Sequence, residues 1–402
     1  MTTRAFDVVL FGASGFTGGL VAEYLARRPG GARWAIAGRD RAKLERVRER
    51  LGVPVEILIA DARDGNALRA LADKTTAIAT TAGPFALHGS ELVAACVERN
   101  THYCDLTGEM QWVKRMADRH HEAARANGTR IVHSCGYDSL PSDLGVWVLQ
   151  QHALATYGKP VREIEALAYI KNGTASGGTL ASMLNIAVEA EHDKSVFKLL
   201  LDPYGLAPNP SLSTGKKSEP RGVNFIREAG VFTGPFLMAP TNTRIVHRSN
   251  ALLDYLYGHD FEYRESMPTG RGVRGAAIAA AMTAAMNAIY VGASVSKIRN
   301  LMQQYVPQPG EGPSERARKR SSFAHNLYAT LDGKRLRARF SGQGDPGYDE
   351  TAKMIAESAL CLALDPLSTP GGVLTGASAM GDALVKRLRA QNLEIEAWTV
   401  SD

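Results

Sequence analysis

The sequence predicts an α/β protein: a Rossmann-type, doubly wound parallel sheet, an α+β domain inserted into it, and a C-terminal segment that returns to it. Three observations carry that prediction. Short apolar runs alternate with helix-length stretches through the first third of the chain. A glycine-rich turn, Gly12-Ala13-Ser14-Gly15-Phe16-Thr17-Gly18, joins the first run to the first helix pattern. Near residue 150 the rhythm changes and a second set of strand patterns begins. Strands separated by helices need crossovers, which give parallel pairing with right-handed connections.

Taken in order, Val8–Phe11, Trp34–Gly38, Val55–Ile59, Ala77–Thr81 and Arg130–Ser134 read as strands. Thr17–Arg28, Arg41–Leu51, Ala67–Ala72, Gly89–Arg99 and Met110–Asn127 read as the helices between them. Glu163–Ile170 alternates like a half-exposed strand and meets the glycine-rich Asn172–Thr179, which opens a helix over Thr179–Glu191. Residues 202–222 have loop composition. Ala324–Leu331 and Arg335–Ser341 form a hairpin turning at Asp332-Gly333, and Asp349–Ala363 and Asp382–Ala390 are helical. The divisions are 1–150 for the first part of the cofactor domain, 151–344 for the inserted substrate and dimerisation domain, and 345–402 for the return. There is no internal repeat.

The 402 residues give a soft prior of two or three domains, and 45% hydrophobic residues exclude disordered and collagenous classes. Forty-seven basic against 41 acidic residues leave +6. That balance suits an anionic ligand or membrane surface and gives no indication of nucleic acid. Cys96, Cys104, Cys135 and Cys361 form no CxxC pair and no zinc spacing, so no metal is expected and reduced thiols fit a cytoplasmic protein. The N-terminus lacks the apolar core of a signal peptide. Gly275–Ser296 carries no charge and is long enough to span a bilayer, but it is mostly alanine. A buried or interface helix is the first expectation. Peripheral membrane contact through 271–299, flanked by Arg271, Arg274, Lys297 and Arg299, is the second.

The glycine turn has the strand–turn–helix context of a dinucleotide site, with glycines for close backbone approach and a helix N-terminus for the pyrophosphate. Gly12, Ser14, Gly15, Phe16, Thr17 and Gly18 are the contact candidates. At the second strand end, Arg39 and Lys43 suit the 2′-phosphate of NADP(H), because a guanidinium pairs bidentately with phosphate. Asp40 is the competing signal for NAD and also fits as a helix N-cap. Asp61 is placed at the adenine, and Thr81, Gly83, Pro84 and Phe85 at the nicotinamide side.

These motifs, with Tyr103-Cys104-Asp105-Leu106-Thr107-Gly108-Glu109 and Gly136-Tyr137-Asp138-Ser139-Leu140-Pro141-Ser142-Asp143, occur in an order that resembles the saccharopine dehydrogenase-like oxidoreductases. Within that family the chain looks most similar to the trans-acting enoyl reductase branch. The resemblance spans essentially the whole chain. It implies the split Rossmann domain, with Gly347–Met354 starting the returning helix, and lipid or polyketide-derived substrates.

Hydride transfer to a polarised double bond also needs a proton donor. Tyr137, Asp138 and Glu109 are the catalytic candidates. Asp105, Ser139, Ser176, Gly177 and Gly178 are the substrate-binding candidates. Duller roles stand beside them: helix caps for Asp138 and Asp143, a loop amide for Asp105, and a capping-box acid for Glu109. His133 and Cys135 share a strand face, so a Cys–His pair is open, with a buried structural cysteine as its alternative. The main functional expectation is an NADP-dependent enoyl reductase acting on a small-molecule or lipid substrate, possible as a homodimer and at the inner membrane face. The alternatives are a saccharopine-type amino-acid dehydrogenase, which needs converging arginines among Arg244, Arg248, Arg264 and Arg271, and a non-catalytic NADP sensor or scaffold at a lipid surface.

Overall fold

In the computed structural model, which describes residues 4–28, 31–173, 177–217, 219, 222–295, 299 and 312–401, β1 (Phe6–Phe11) has Val8, Val9 and Leu10 wholly buried. A strand covered on both faces belongs in the middle of a parallel sheet. It is followed by α1 (Phe16–Arg27), β2 (Trp34–Gly38), α2 (Arg41–Leu51), β3 (Glu56–Ile59), α3 (Gly65–Ala72) and β4 (Thr75–Thr80). Then come α4 (Phe85–His88), α5 (Ser90–Glu98), β5 (His102–Asp105), α6 (Met110–Asn127), β6 (Arg130–Val132) and α7 (Leu140–Tyr157). The middle of the chain forms β7 (Glu163–Lys171), α8 (Gly177–His192), α9 (Lys194–Leu201), β8 (Asn224–Ile226), β9 (Val231–Gly234), α10 (Ala239–Leu252), β10 (Glu262–Gly270) and α11 (Gly272–Ser294). The remainder is α12 (Glu315–Lys319), β11 (Ser322–Leu331), β12 (Lys334–Gln343), α13 (Thr351–Leu364), β13 (Gly372–Leu374), α14 (Gly376–Arg389) and β14 (Glu394–Thr399).

The first sheet runs β13-β6-β5-β4-β1-β2-β3, with every pair parallel. The chain winds outward from β1 to β3, then restarts at β4 on the other side. That reversal makes a topological switch point between β1 and β4, where a crevice opens at the strand carboxyl ends.

The second sheet runs β14-β12-β11-β7-β10-β9-β8. Only β7 and β10 pair in parallel there, and the others are antiparallel. The β11–β12 hairpin turns at Asp332 and Gly333, both at positive φ (48° and 79°), as a two-residue primed turn requires. Helices α7 and α10 pack against each other and against the second sheet. α7 packs on β11, β12 and β14, and α10 on β10.

Residues 345–402 divide between the sheets, where the sequence reading sends them all to the first. α13 packs over β1, β4 and β5, and β13 extends the first sheet beside β6. β14 instead closes the second sheet against β12, with Ile395 buried. Glu357 ties α13 to its neighbours. Its fully buried carboxylate accepts from Tyr24 Oη (2.6 Å), Arg28 Nε (2.5 Å) and Arg387 Nη1 (3.2 Å). An unpaired carboxylate there would cost several kcal/mol.

The expectation of a buried α11 is corrected. Gly275 and Ala279 seat the helix on β9 and β10, and Gly234 is glycine because an added Cβ would lie 3.3 Å from Met282 Cβ. Only 17% of its apolar window is buried, and Val273 and Val291 are 88% and 65% exposed. Lack of charge was the misleading signal, since small alanines cover little area whichever way they face.

Candidate functional site

The crevice at the switch point is built first from backbone. Gly12 sits at φ +92°, which side chains resist. Its N–H donates to Ala37 O (2.9 Å), and its carbonyl accepts from Gly15 N (3.1 Å) and Thr81 Oγ1 (3.2 Å). A Cβ on Gly18 would collide with the Gly12 carbonyl and lie 2.8 Å from Thr81 Oγ1. The turn is therefore pressed against the end of β4. Gly15 is different: a Cβ there would meet only Gly12 O, at 3.5 Å. Gly15 is the N-cap of α1 and no side chain caps the helix, while Ser14 and Gly15 are exposed. The first-turn amides, including those of Phe16 and Thr17, and the positive helix end are left for an anion. The cradle fits a dinucleotide pyrophosphate.

Beyond β2, Arg39 and Lys43 are both exposed. Asp40 is committed to its own helix, accepting from Lys43 N at 3.0 Å. Asp61 bonds Arg63 through its backbone N (2.9 Å) and side chain (3.3 Å). Arg63, with Arg39 nearby, holds that carboxyl below its ordinary value. This end of the crevice is cationic, which fits a 2′-phosphate. Thr81 and Pro84 are half-buried, Gly83 is exposed, and Phe85 is buried and stacks on Trp112 at 5.8 Å. On the glycine turn, the Phe16 ring meets Tyr348 at 5.1 Å and carries Arg318 at 5.5 Å. Arg318 is held by Asp349, 3.0 Å from both carboxylate oxygens. The sequence marked Tyr348 only as part of the Gly347–Met354 start of the returning helix, and gave no sign that it or Arg318 meets the glycine turn.

The loops after β5 and β6 complete the edge, and there several side chains take roles other than those expected. Asp105 is fully buried and accepts from Tyr103 Oη (2.9 Å), Thr107 N (3.0 Å) and Ser134 N (3.0 Å), with His133 Nδ1 at 2.7 Å. Those four contacts leave no lone pair for a substrate, so Asp105 shapes the loop instead. Glu109, also buried, accepts from Phe85 N (3.0 Å), Ala86 N (2.8 Å) and Ser182 Oγ (3.0 Å). It caps α4 from a distance and fixes the 83–85 turn. Burial raises its carboxyl, against those three hydrogen bonds. Asp138 is half-buried with no partner among the described residues, and burial pushes its carboxyl up to about 6. Ser176 lies outside the described residues, while Gly177 and Gly178 open α8.

Tyr137 and Ser139 join a buried polar cluster between the sheets. Tyr137 Oη is hydrogen-bonded to His325 Nε2 at 3.1 Å. His325 Nδ1 lies 3.1 Å from Glu265 Oε1, off-line for a good hydrogen bond in this arrangement. Glu265 accepts from Ser142 Oγ and Asn242 Nδ2, both at 2.8 Å, and Ser139 Oγ donates to Asn242 Oδ1 at 3.1 Å. Burial, with Glu265, Asp138 and Asp345 near, raises the Tyr137 phenol well above its ordinary value. Sequence reading found Tyr137 and Ser139 but missed His325, Glu265 and Asn242.

Residues 8–132 match the family model for the saccharopine dehydrogenase NADP binding domain. A Mycobacterium tuberculosis protein (strain H37Rv), provisionally named a trans-acting enoyl reductase, is 42% identical over 411 residues, covering 98% of each chain. A trans-acting enoyl reductase of Mycobacterium ulcerans is 38% identical over 410 residues, again covering 98% of each. Among solved structures, the apo saccharopine dehydrogenase (L-Glu forming) of Saccharomyces cerevisiae shares the fold, with TM-score 0.57 and 12% identity, over 98% of this chain and 99% of that one.

The chain belongs to the saccharopine dehydrogenase-like oxidoreductases, in their trans-acting enoyl reductase branch.

In this family member the Cys–His pair does not form. His133 turns to Asp105 and packs edge-on to Trp112 at 4.9 Å, while Cys135 Sγ points to Val132 O at 3.6 Å. Burial drives the Cys104 thiol well up, away from reactivity. The arginines are engaged as well. Arg244 donates to Leu199 O (3.0 Å), Leu200 O (2.6 Å), Pro240 O (2.5 Å) and Glu219 (2.7 Å). Arg248 donates to Leu206 O and Val373 O, and Arg264 pairs with Glu165 and Glu262. Arg271 is the exposed N-cap of α11.

Proposed function

We infer that this enoyl reductase-branch protein uses NADPH to reduce a carbon–carbon double bond conjugated to a carbonyl, on a lipid or polyketide-derived chain. The observation that carries the reading is one strand edge. It offers a glycine cradle after β1, a cationic end after β2 and, after β6, a phenol that burial keeps protonated. NADPH, when bound, supplies the hydride. The chain's own residues do the rest. The α1 amides and Gly12–Gly18 hold the pyrophosphate, Arg39 and Lys43 the 2′-phosphate, and Thr81–Phe85, fixed by Glu109, wall the nicotinamide side. Tyr137 holds the proton that a polarised double bond needs at its second carbon.

The amino-acid dehydrogenase alternative is disfavoured by charge. A multi-carboxylate substrate needs free guanidinium groups at the cleft, and Arg244 and Arg264 are engaged by carbonyls and carboxylates, while Arg248 is buried with both terminal nitrogens on backbone carbonyls. The test is NADPH absorbance with a panel of enoyl thioesters, followed by mass analysis. The expected outcome is oxidation with a gain of two hydrogens in the product. Tight NADPH binding without turnover on any enoyl substrate would instead support a sensor.

The α11 face supports peripheral contact with an anionic lipid surface on the cytoplasmic side. Ile278, Ile289, Tyr290 and Val291 are exposed, and Arg271 and Arg274 stand at the helix start. Flotation with anionic vesicles at low salt, lost on Arg271→Glu and Arg274→Glu together, is the expected result. Absence of flotation combined with concentration-dependent sedimentation would assign the face to a homodimer.

A further inference from the structure

We propose that His325 and Glu265, from the inserted domain, form a proton relay with Tyr137, so that the second sheet restores the proton the Rossmann edge delivers. The inference rests on the reductase reading above. Three segments distant in sequence meet here: the loop after β6, the middle of β11 and the middle of β10. Both His325 and Glu265 are completely buried. The imidazole is held by rings on several sides: Tyr137 at 5.4 Å, Phe236 at 6.0 Å and Phe323 at 6.4 Å, all near edge-on. On β11, Phe323, His325, Leu327 and Ala329 alternate inward, and an aliphatic side chain at 325 would suit that apolar stripe equally well. Burying an ionisable pair there carries a large desolvation cost, which a purely structural core avoids.

The hydrogen-bond pattern gives the pair a direction. Ser142 Oγ and Asn242 Nδ2 each donate to Glu265, so its oxygens are acceptors. The imidazole nitrogen facing Glu265 approaches it at 3.1 Å without the alignment of a hydrogen bond, so the carboxylate acts on the ring by charge, and the other nitrogen faces the Tyr137 hydroxyl. When the imidazole is doubly protonated, Nε2–H donates to Tyr137 Oη and the phenolic proton is free to point at a substrate. The backbone of Tyr137 is fixed meanwhile, its N–H donating to Thr351 Oγ1 at 3.0 Å.

Hydride adds to the β-carbon, its electron pair becoming the new C–H bond, and the π pair of the double bond moves toward the carbonyl to leave an enolate. The enolate α-carbon takes the Tyr137 phenolic proton, completing the reduced bond. The phenolate oxygen takes the Nε2 proton of His325, whose charge Glu265 had balanced. After product leaves, a solvent proton reaches Tyr137 Oη as that hydroxyl passes its own proton to His325 Nε2, so the buried imidazole regains its charge without itself meeting water. Tyr137 touches the substrate; His325 and Glu265 act through it and are positioning residues. The titratable or charged groups facing them are Glu265 and Tyr263 on β10, Tyr137 and Asp138 on the loop, and Asp345 ahead of α13.

The test uses the full-length protein with NADPH and an enoyl thioester, comparing Tyr137→Phe, His325→Gln and Glu265→Gln. His325→Gln should lower kcat roughly 100-fold, within the range for general-acid catalysis, with NADPH Kd unchanged and a larger solvent isotope effect. Glu265→Gln keeps the shape and removes the balancing charge, so the alkaline limb of the kcat profile should move to lower pH. Folded His325→Gln with wild-type kcat, isotope effect and pH profile would overturn the relay. If that variant does not fold, an unshifted alkaline limb in Glu265→Gln overturns it instead. Should the reductase reading itself fail, wild-type protein will bind NADPH and turn over no enoyl substrate, an outcome no relay variant can mimic.

Discussion

The two ends of the crevice are made differently. The end near β1 and β2 is built from backbone and solvated charge: a glycine turn, a helix N-terminus, and Arg39 and Lys43 in water. The end between β6 and the second sheet is built from buried side chains: Tyr137, His325, Glu265, Asn242, Ser139 and Ser142. Exposed charges on short loops recognise an anion and respond to salt. Buried ionisable groups in a packed seam respond to pH instead, because desolvation amplifies each proton's energy. A cofactor that comes and goes suits the first kind of end, and proton storage suits the second.

That contrast is broken most directly through Asp143, which lies on the seam side. Its buried carboxyl accepts from Ser249 Oγ and from Ala377 N (2.8 Å), joining α7 to α10 and α14. Burial pushes it up to about 7 against those bonds. The folded state thus holds this proton more firmly than the unfolded chain. Its contribution is fully present below about pH 4 and lost as pH rises to about 7, worth up to about 4 kcal/mol. Asp143→Asn should flatten this part of the stability–pH curve in urea unfolding. An equal fall in both proteins would place the titration elsewhere. Next in size is Gly18→Val, whose Cβ meets the Gly12 carbonyl. It should cost about 3 kcal/mol and abolish NADPH binding, whereas Gly15→Ala should fold within about 1 kcal/mol of wild type. Matching melting temperatures for Gly18→Val and wild type would refute the close-packed turn.

The same contrast explains what was legible in the sequence. The first sheet and its cradle are local patterns: each strand precedes its own turn, and Gly12, Gly15 and Gly18 sit on one short segment. The Asp332-Gly333 hairpin was legible for the same reason. The seam was not. β10 reads Glu-Tyr-Arg-Glu-Ser-Met-Pro-Thr-Gly, whose polar residues hide its central place in a sheet, and α10 buries Asn242, Arg244, His247 and Arg248 with no apolar face to show. Both are stabilised by hydrogen bonds to distant segments, which periodicity does not register. His325 left a faint signal, a lone histidine in an inward-facing alternation. Asp105 and Glu109 stood in the sequence as a substrate-binding and a catalytic candidate, each beside a backbone-amide alternative, and the fold decides for the amides.

Two smaller effects sharpen the solvated end. Arg39→Glu should raise the NADPH dissociation constant roughly 10- to 100-fold, the worth of a charge-assisted pair, and change the NADH one little. Equal effects on both cofactors would remove Arg39 from the 2′-phosphate. Lys43 is exposed and farther along the helix, so Lys43→Ala should weaken NADPH only about two- to fivefold. Its effect should fade with salt, because screening lengths fall from about 10 Å at 0.1 M to about 3 Å at 1 M. Measured as Kd against ionic strength, wild type should show the steepest slope, Lys43→Ala a shallower one and Arg39→Glu the shallowest. The kcat of the relay variants should hold its ratio to wild type across the same series, since the charges at that end never face the solvent. A salt-dependent ratio there would mean that His325 is reached by ions, and the division between the two ends would fail.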